Sequence, residues 1–183
     1  FLESVGADAA IVSDPGLIFL AQNCAPRLPI HLSTQANTTN RLSAEFWAKT
    51  GVKRVVLARE LDMDQVMTIH RQIVENDLRG PKGELIQIEM FSHGALCMAV
   101  SGKCYLSLHE MNASANRGAC YQICRRSYTV KDTESDIELE VDGKYIMSPK
   151  DLCTIGFINK MIDAGVRVFK IEGRARSAEY VKT

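Results

Sequence analysis

Short apolar runs followed by helical patterns recur along this chain at intervals of roughly 20–30 residues, and that alternation limits its fold more than any other feature. Residues 7–13 (ADAAIVS) read as a buried strand closed by the turn Asp14-Pro15-Gly16, with a helix starting over residues 17–22. Residues 29–33 (PIHLS) are the next strand, followed by a helix over residues 39–50 that Gly51 closes. Residues 53–58 (KRVVLA) form a third strand, and Asp62 or Asp64 caps a helix carrying Val66, Ile69, Ile73 and Val74 at helical spacing. In residues 85–91, Ile86, Ile88 and Met90 alternate with Gln87 and Glu89, as in a strand. Residues 132–142 are acidic and suit a surface hairpin or loop, and residues 144–147 suit a short strand. Ser148-Pro149-Lys150-Asp151 has the pattern of a helix start, and that helix is expected to run through Leu152, Ile155, Ile158 and Ile162 to Gly165. Residues 166–171 (VRVFKI) are the last strand, with a helix beginning near Ser177. The pattern implies an α/β fold with a parallel sheet. By periodicity, an open doubly wound sheet and part of a β/α barrel fit equally well.

The 183 residues are enough for one sizeable core, and 46% hydrophobic with 24% charged residues is ordinary for a globular domain. Lys+Arg and Asp+Glu are both 22, so net charge gives no argument for a polyanionic partner. No apolar run approaches the ~20 residues of a membrane helix. The opening FLESVGADAA reads as the end of a helix, and with the close at EYVKT the expectation is a fragment of a longer protein.

Residues 89–126 hold four of the six cysteines, Cys97, Cys104, Cys120 and Cys124, and Cys153 follows. Gly94, Gly102 and Gly118 stand close before three of these thiols, where the backbone can turn tightly around a bulky group. Abundant aliphatic residues and helical periodicity argue against a small disulfide scaffold. Cys97 and Cys104 are seven apart, Cys120 and Cys124 four apart, and Cys153 lies 29 further on, which is not the paired spacing of a zinc ribbon. An iron–sulfur cluster and a set of buried thiols both fit. Cys24 reads as a structural thiol.

Charged residues gather just past the strand ends: Arg59 and Glu60, Glu89 and His93, Glu172 and Arg174. In one pocket they suit a small dicarboxylate or an RNA phosphate, because arginine pairs bidentately with both. Structural ion pairs are the competing reading. His31, inside an apolar strand, reads as a hydrogen-bonded core residue. Arg117, Arg125 and Arg126 with Tyr121 and Tyr128 form a short basic-aromatic cluster of the kind that holds single strands, or a solvated surface. No HExxH or GxSxG motif is present, and a thiol with a His partner, Cys97 with His93, is the remaining protease-like pair.

The blocks HGALCMAVSGKCYLS, NRGACYQICRRSY, SPKDLC and KIEGRARSAEYV, with upstream DPG and HLSTQ, resemble the collagenase-like peptidase family, peptidase family U32, in that family's order. The resemblance spans nearly the whole chain and implies one family domain over residues 1–183, the C-terminal part of a (β/α) TIM-type barrel with a cysteine-bearing segment at 92–153. The closest branch by resemblance makes 5-hydroxyuridine at the tRNA wobble position. It implies a [4Fe–4S] cluster on Cys97, Cys104, Cys120 and Cys153, with Cys124 as the alternative to Cys153, and prephenate as a co-substrate. Catalytic candidates are then Glu172, Arg174, His93 and Glu60. The same resemblance implies a cytoplasmic protein with tRNA as partner, no membrane and no DNA, and leaves the oligomeric state open. Alternatives are a ubiquinone-precursor or rRNA hydroxylase of the family, a collagenase-like peptidase, and a non-enzymatic RNA-binding or cluster scaffold.

Overall fold

The computed structural model describes residues 1–141, 150–174 and 176–182, and they form two compact units. The first comprises Phe1–Ser92 and Thr154–Ile171. Its strands are β1 (Ala10–Val12), β2 (Ile30–Leu32), β3 (Arg54–Val56) and β4 (Gln87–Gly94), which leaves the unit after Ser92. They are parallel neighbours in sequence order, with Ile11 beside His31, Leu32 beside Val55, and Val55 beside Ile88. A later strand, β8 (Val166–Glu172), also pairs with β4. Among the described strands the order never reverses, so the switch point that defines a doubly wound sheet is missing.

The helices start where local chemistry says they should. In α1 (Pro15–Cys24), Asp14 accepts the Leu17 N–H and Pro15 opens the first turn. Asn40 caps α2 (Arg41–Lys49) by accepting the Ser43 N–H. Asp62 and Gln65 form a reciprocal capping box on α3 (Met63–Glu75). Strand alternation sends Ile30, Leu32, Val55, Leu57, Ile86, Ile88 and Met90 into one core. There they meet Ile18 of α1, Ala44 and Trp47 of α2, Val66, Ile69 and Ile73 of α3, and Met161 of α5 (Ile158–Asp163).

The second unit comprises His93–Cys153 and Glu172–Thr183. It holds the end of β4, α4 (Leu106–Met111), the antiparallel pair β5 (Tyr128–Lys131) and β6 (Glu138–Val141), β7 (Leu152–Cys153) and α6 (Ala178–Lys182). Ile123 is its one buried apolar side chain among the described residues. Hydrogen bonds and ion pairs such as those of Asp151 with Arg125 and Arg176 join its described parts.

The expected helix from Ser148 is corrected. Ser148 and Pro149 lie outside the described residues, as does the expected strand at 144–147. Leu152 and Cys153 are a strand, and helix begins only at Ile158, after a 3-10 turn at Ile155–Phe157. Pairing with the end of β4 outweighs the local helix signal there. No described helix is long and apolar enough to cross a membrane.

Candidate functional site

In the first unit, the strand faces turned away from the core carry polar groups. Glu89 is 4% exposed. It pairs with Lys170 at 3.1 Å and with Arg54 at 3.5 Å. The Arg54 guanidinium also donates to Gln87 Oε1 at 3.1 and 3.0 Å, and its Nη1 lies 3.5 Å from His31 Nδ1. Arg59 lies over the Phe91 ring, 3.8 Å from its centroid. Glu89, grouped in sequence with the strand-end charges, sits within β4 as its alternation predicts, locked in this network.

Burial, and then the Arg54 charge, push the His31 imidazole below its ordinary pKa, and burial does the same for His70. Both rings therefore bind protons less readily in the folded chain than in the unfolded chain, whose imidazoles take up protons near pH 6.5. Stability is full above that value and declines as pH falls through the lowered folded values. The urea midpoint should drop from pH 7 to pH 5.5, and His31→Gln should flatten the drop. An unchanged midpoint would remove this account.

In the second unit, β7 lies antiparallel to the end of β4, with Cys153 directly opposite His93 and Leu152 opposite Gly94. The Thr154 N–H donates to Ser92 O at 3.0 Å, which makes His93/Cys153 the non-hydrogen-bonded pair, the type with the closer side chains. Cys153 is exposed and His93 half-buried. Tyr180 packs on the His93 ring, centroids 5.2 Å apart, and its hydroxyl donates to Asp151 Oδ2 at 2.9 Å. Arg176 donates to both Asp151 oxygens, at 3.1 and 3.0 Å, and Arg125 donates to Oδ1. Burial raises the Asp151 pKa, but the bonds from Arg125 and Tyr180 and the two guanidinium charges outweigh it and hold the carboxyl below the usual range. Sequence reading paired His93 with Cys97, because the β4–β7 register is not visible in sequence.

No disulfide joins any of the six cysteines. The Cys104 N–H donates to Asn116 Oδ1 at 3.2 Å, and Cys104 Sγ accepts the Leu106 N–H at 3.4 Å. Cys97, Cys104 and Cys124 are half-buried, while Cys120 and Cys153 are exposed. Thiols suit a soft metal centre by donor chemistry. Yet among the described residues no three His, Cys, Asp or Glu side chains are grouped to hold a metal ion.

The strand-end charges fall into two sets. Arg59, Glu60 and Glu89 belong to the first unit, and His93, Glu172 and Arg174 to the second. Arg174 Nη2 lies 3.3 Å from Glu172 Oε2. The basic-aromatic surface is smaller than expected. Arg125 is tied to Asp151 and the Tyr128 hydroxyl donates to Ile123 O, leaving Arg117, Arg126 and Tyr121 exposed. Cys24, expected as a structural thiol, ends α1 and is exposed. Gly94 is required at its position. Its φ is +116°, and an added Cβ would collide with the Glu172 carbonyl. Gly94→Ala should cost about 3 kcal/mol through strain and overpacking. A thermal midpoint unchanged from the parent would refute that.

The family model for peptidase family U32 matches residues 1–183. The chain is 62% identical over 175 residues to a "Collagenase" of Porphyromonas gingivalis, covering 96% of this chain and 42% of that protein. It is 40% identical over 177 residues to "tRNA hydroxylation protein P1" of Bacillus subtilis, covering 94% and 39%. To "tRNA hydroxylation protein P" of Escherichia coli it is 34% identical over 220 residues, covering 96% and 46%. The chain thus spans less than half the length of these relatives. The expected nearness to the tRNA-hydroxylating branch is corrected by these identities, since the collagenase is the more similar. No solved structure matches. With the family model matched from end to end, the chain belongs to peptidase family U32.

Proposed function

We propose that this chain is part of a collagenase-type peptidase in which Cys153 is the nucleophile and His93 its base. The observation that carries this is the β4–β7 register, which sets an exposed thiol directly across from an imidazole. The 62% identity to a protein named collagenase supports a polypeptide substrate. His93 takes the thiol proton as Cys153 Sγ bonds to the scissile carbonyl carbon. The C–N bond then breaks, and His93 delivers the proton to the leaving amine. Water, deprotonated by His93, hydrolyses the thioester, and the proton returns to Sγ. Tyr180, anchored on Asp151, holds the imidazole plane. The unreversed strand order supports a further part of the reading, that the sheet is an arc of a β/α barrel completed by the rest of the protein.

A second reading is favoured by five cysteines in one unit without a disulfide. It is RNA hydroxylation, the activity for which the more distant relatives are named; in this reading it is iron–sulfur-dependent and cytoplasmic, with tRNA as partner and prephenate as co-substrate. Cys97, Cys104, Cys120 and Cys153 would hold a [4Fe–4S] cluster, with Cys124 as the alternative to Cys153. The cluster would supply electron transfer. Glu172, Arg174 and Glu60 would then be substrate contacts.

The two readings compete for Cys153. The test is anaerobic full-length protein assayed for iron and sulfide, for cleavage of a quenched collagen-type peptide, and for restoration of 5-hydroxyuridine in deficient tRNA. Cleavage by iron-free protein supports the peptidase. Iron and sulfide without cleavage overturn it in favour of the second reading.

A further inference from the structure

The acidic stretch at residues 132–140 is a built surface that the peptidase reading does not use. In the β5–β6 ribbon, Tyr128 pairs with Val141, Thr129 with Glu140, Val130 with Leu139, and Lys131 with Glu138. The period of two divides these pairs between faces. One face carries Val130 and Leu139, 43% and 58% exposed, with Ile137 at 59% beside them. The other carries Thr129, Lys131, Glu138 and Glu140. The tip is ordered by its own hydrogen bonds. Asp132 Oδ1 accepts the N–H groups of Glu134 at 2.8 Å and Ser135 at 3.2 Å, and the Asp132 N–H donates to Ile137 O at 3.0 Å. Those bonds to Glu134 and Ser135 hold the Asp132 carboxyl below its usual range. At the base, the Tyr128 hydroxyl donates to the carbonyl of buried Ile123.

We propose that this ribbon is a docking surface for a basic, strand-forming segment of a protein partner. Asp132, Glu134, Asp136, Glu138 and Glu140 face a single cation, Lys131, within the ribbon. Among the described residues the strands pair only with each other, so each presents an edge without a described partner strand. An added strand would gain main-chain hydrogen bonds along that edge, cover Val130 and Leu139 with its aliphatic side chains, and set its lysines or arginines among the carboxylates. The same charge disfavours a second copy of this chain, which would bring like charges together, and any nucleic acid, whose phosphates it repels. The inference stands apart from either reading of the Cys153 chemistry.

The test uses the 183-residue chain. A fluorescent peptide alternating Lys and Val is titrated by anisotropy, beside a Glu/Val counterpart and a labelled single-stranded RNA. The Lys/Val peptide should bind, weaken with salt, and bind roughly tenfold less tightly to the E138K/E140K chain, since each reversal turns attraction into repulsion. V130T/L139T keeps strand-forming residues and should weaken binding several-fold. That variant keeps the test decisive if the charge reversal disturbs folding. The Glu/Val peptide should not bind, and the RNA should not displace the Lys/Val peptide. Equal binding by parent and both variants, or displacement of the Lys/Val peptide by the RNA, would overturn the proposal.

Discussion

Cys153→Ala should reduce peptide cleavage by on the order of a thousandfold or more while leaving the thermal midpoint nearly unchanged. The nucleophile would be gone, and the residue lies exposed at the end of a two-residue strand, so its removal opens no cavity. Cys97→Ala, removing the thiol that sequence proximity would choose, should leave most activity. The two substitutions together separate the readings. If both abolish iron binding in protein that contained iron, they are ligands, and the nucleophile assignment falls. Retained cleavage in Cys153→Ala defeats the proposed mechanism outright.

Glu89→Ala should destabilise the first unit by about 3 kcal/mol, read as a shift in urea midpoint at constant slope. The carboxylate is nearly inaccessible, and its loss takes the paired charge from Lys170 and leaves Arg54 its bonds to Gln87 alone among those described above. Those cations are partly reached by water, with side chains 26% and 21% exposed, which holds the cost at the low end for a broken buried pair. Glu89→Gln keeps oxygen and shape and should cost less. A change below about 1 kcal/mol for Glu89→Ala would mean that water satisfies both cations and that the network adds little.

Much of the first unit was readable from the chain because its signals are local. Asp62, read as a cap, does cap the helix that follows it, and the alternation at Ile86, Ile88 and Met90 assigns the core face of β4, whereas the caps at Asp14 and Asn40 emerged only in the structure. The second unit was far less readable. Its residues 93–125 have little periodicity and form short turns, with Ser101, Asn112 and Gln122 in the left-handed region. The pattern at 148–151 read as a helix start, yet Leu152 and Cys153 were taken by the end of β4. Arg125 and Tyr128 were read as part of a cluster that either holds single strands or is solvated, because composition does not reveal that Asp151 and the Ile123 carbonyl occupy them.

By itself, the sequence determined the α/β class, most element positions and, through its motifs, the family. Periodicity, capping and motif order are properties of neighbouring residues, and a chain carries them whether or not it is folded. Only the tertiary structure decided which polar groups meet, Glu89 with Lys170 and Arg54, and Asp151 with Arg125, Arg176 and Tyr180, and that His93 stands opposite Cys153 in register. Those partners are 25 to 81 residues apart in the chain. Strand register and the closure of long loops bring them together, and neither is written in any local window of the chain.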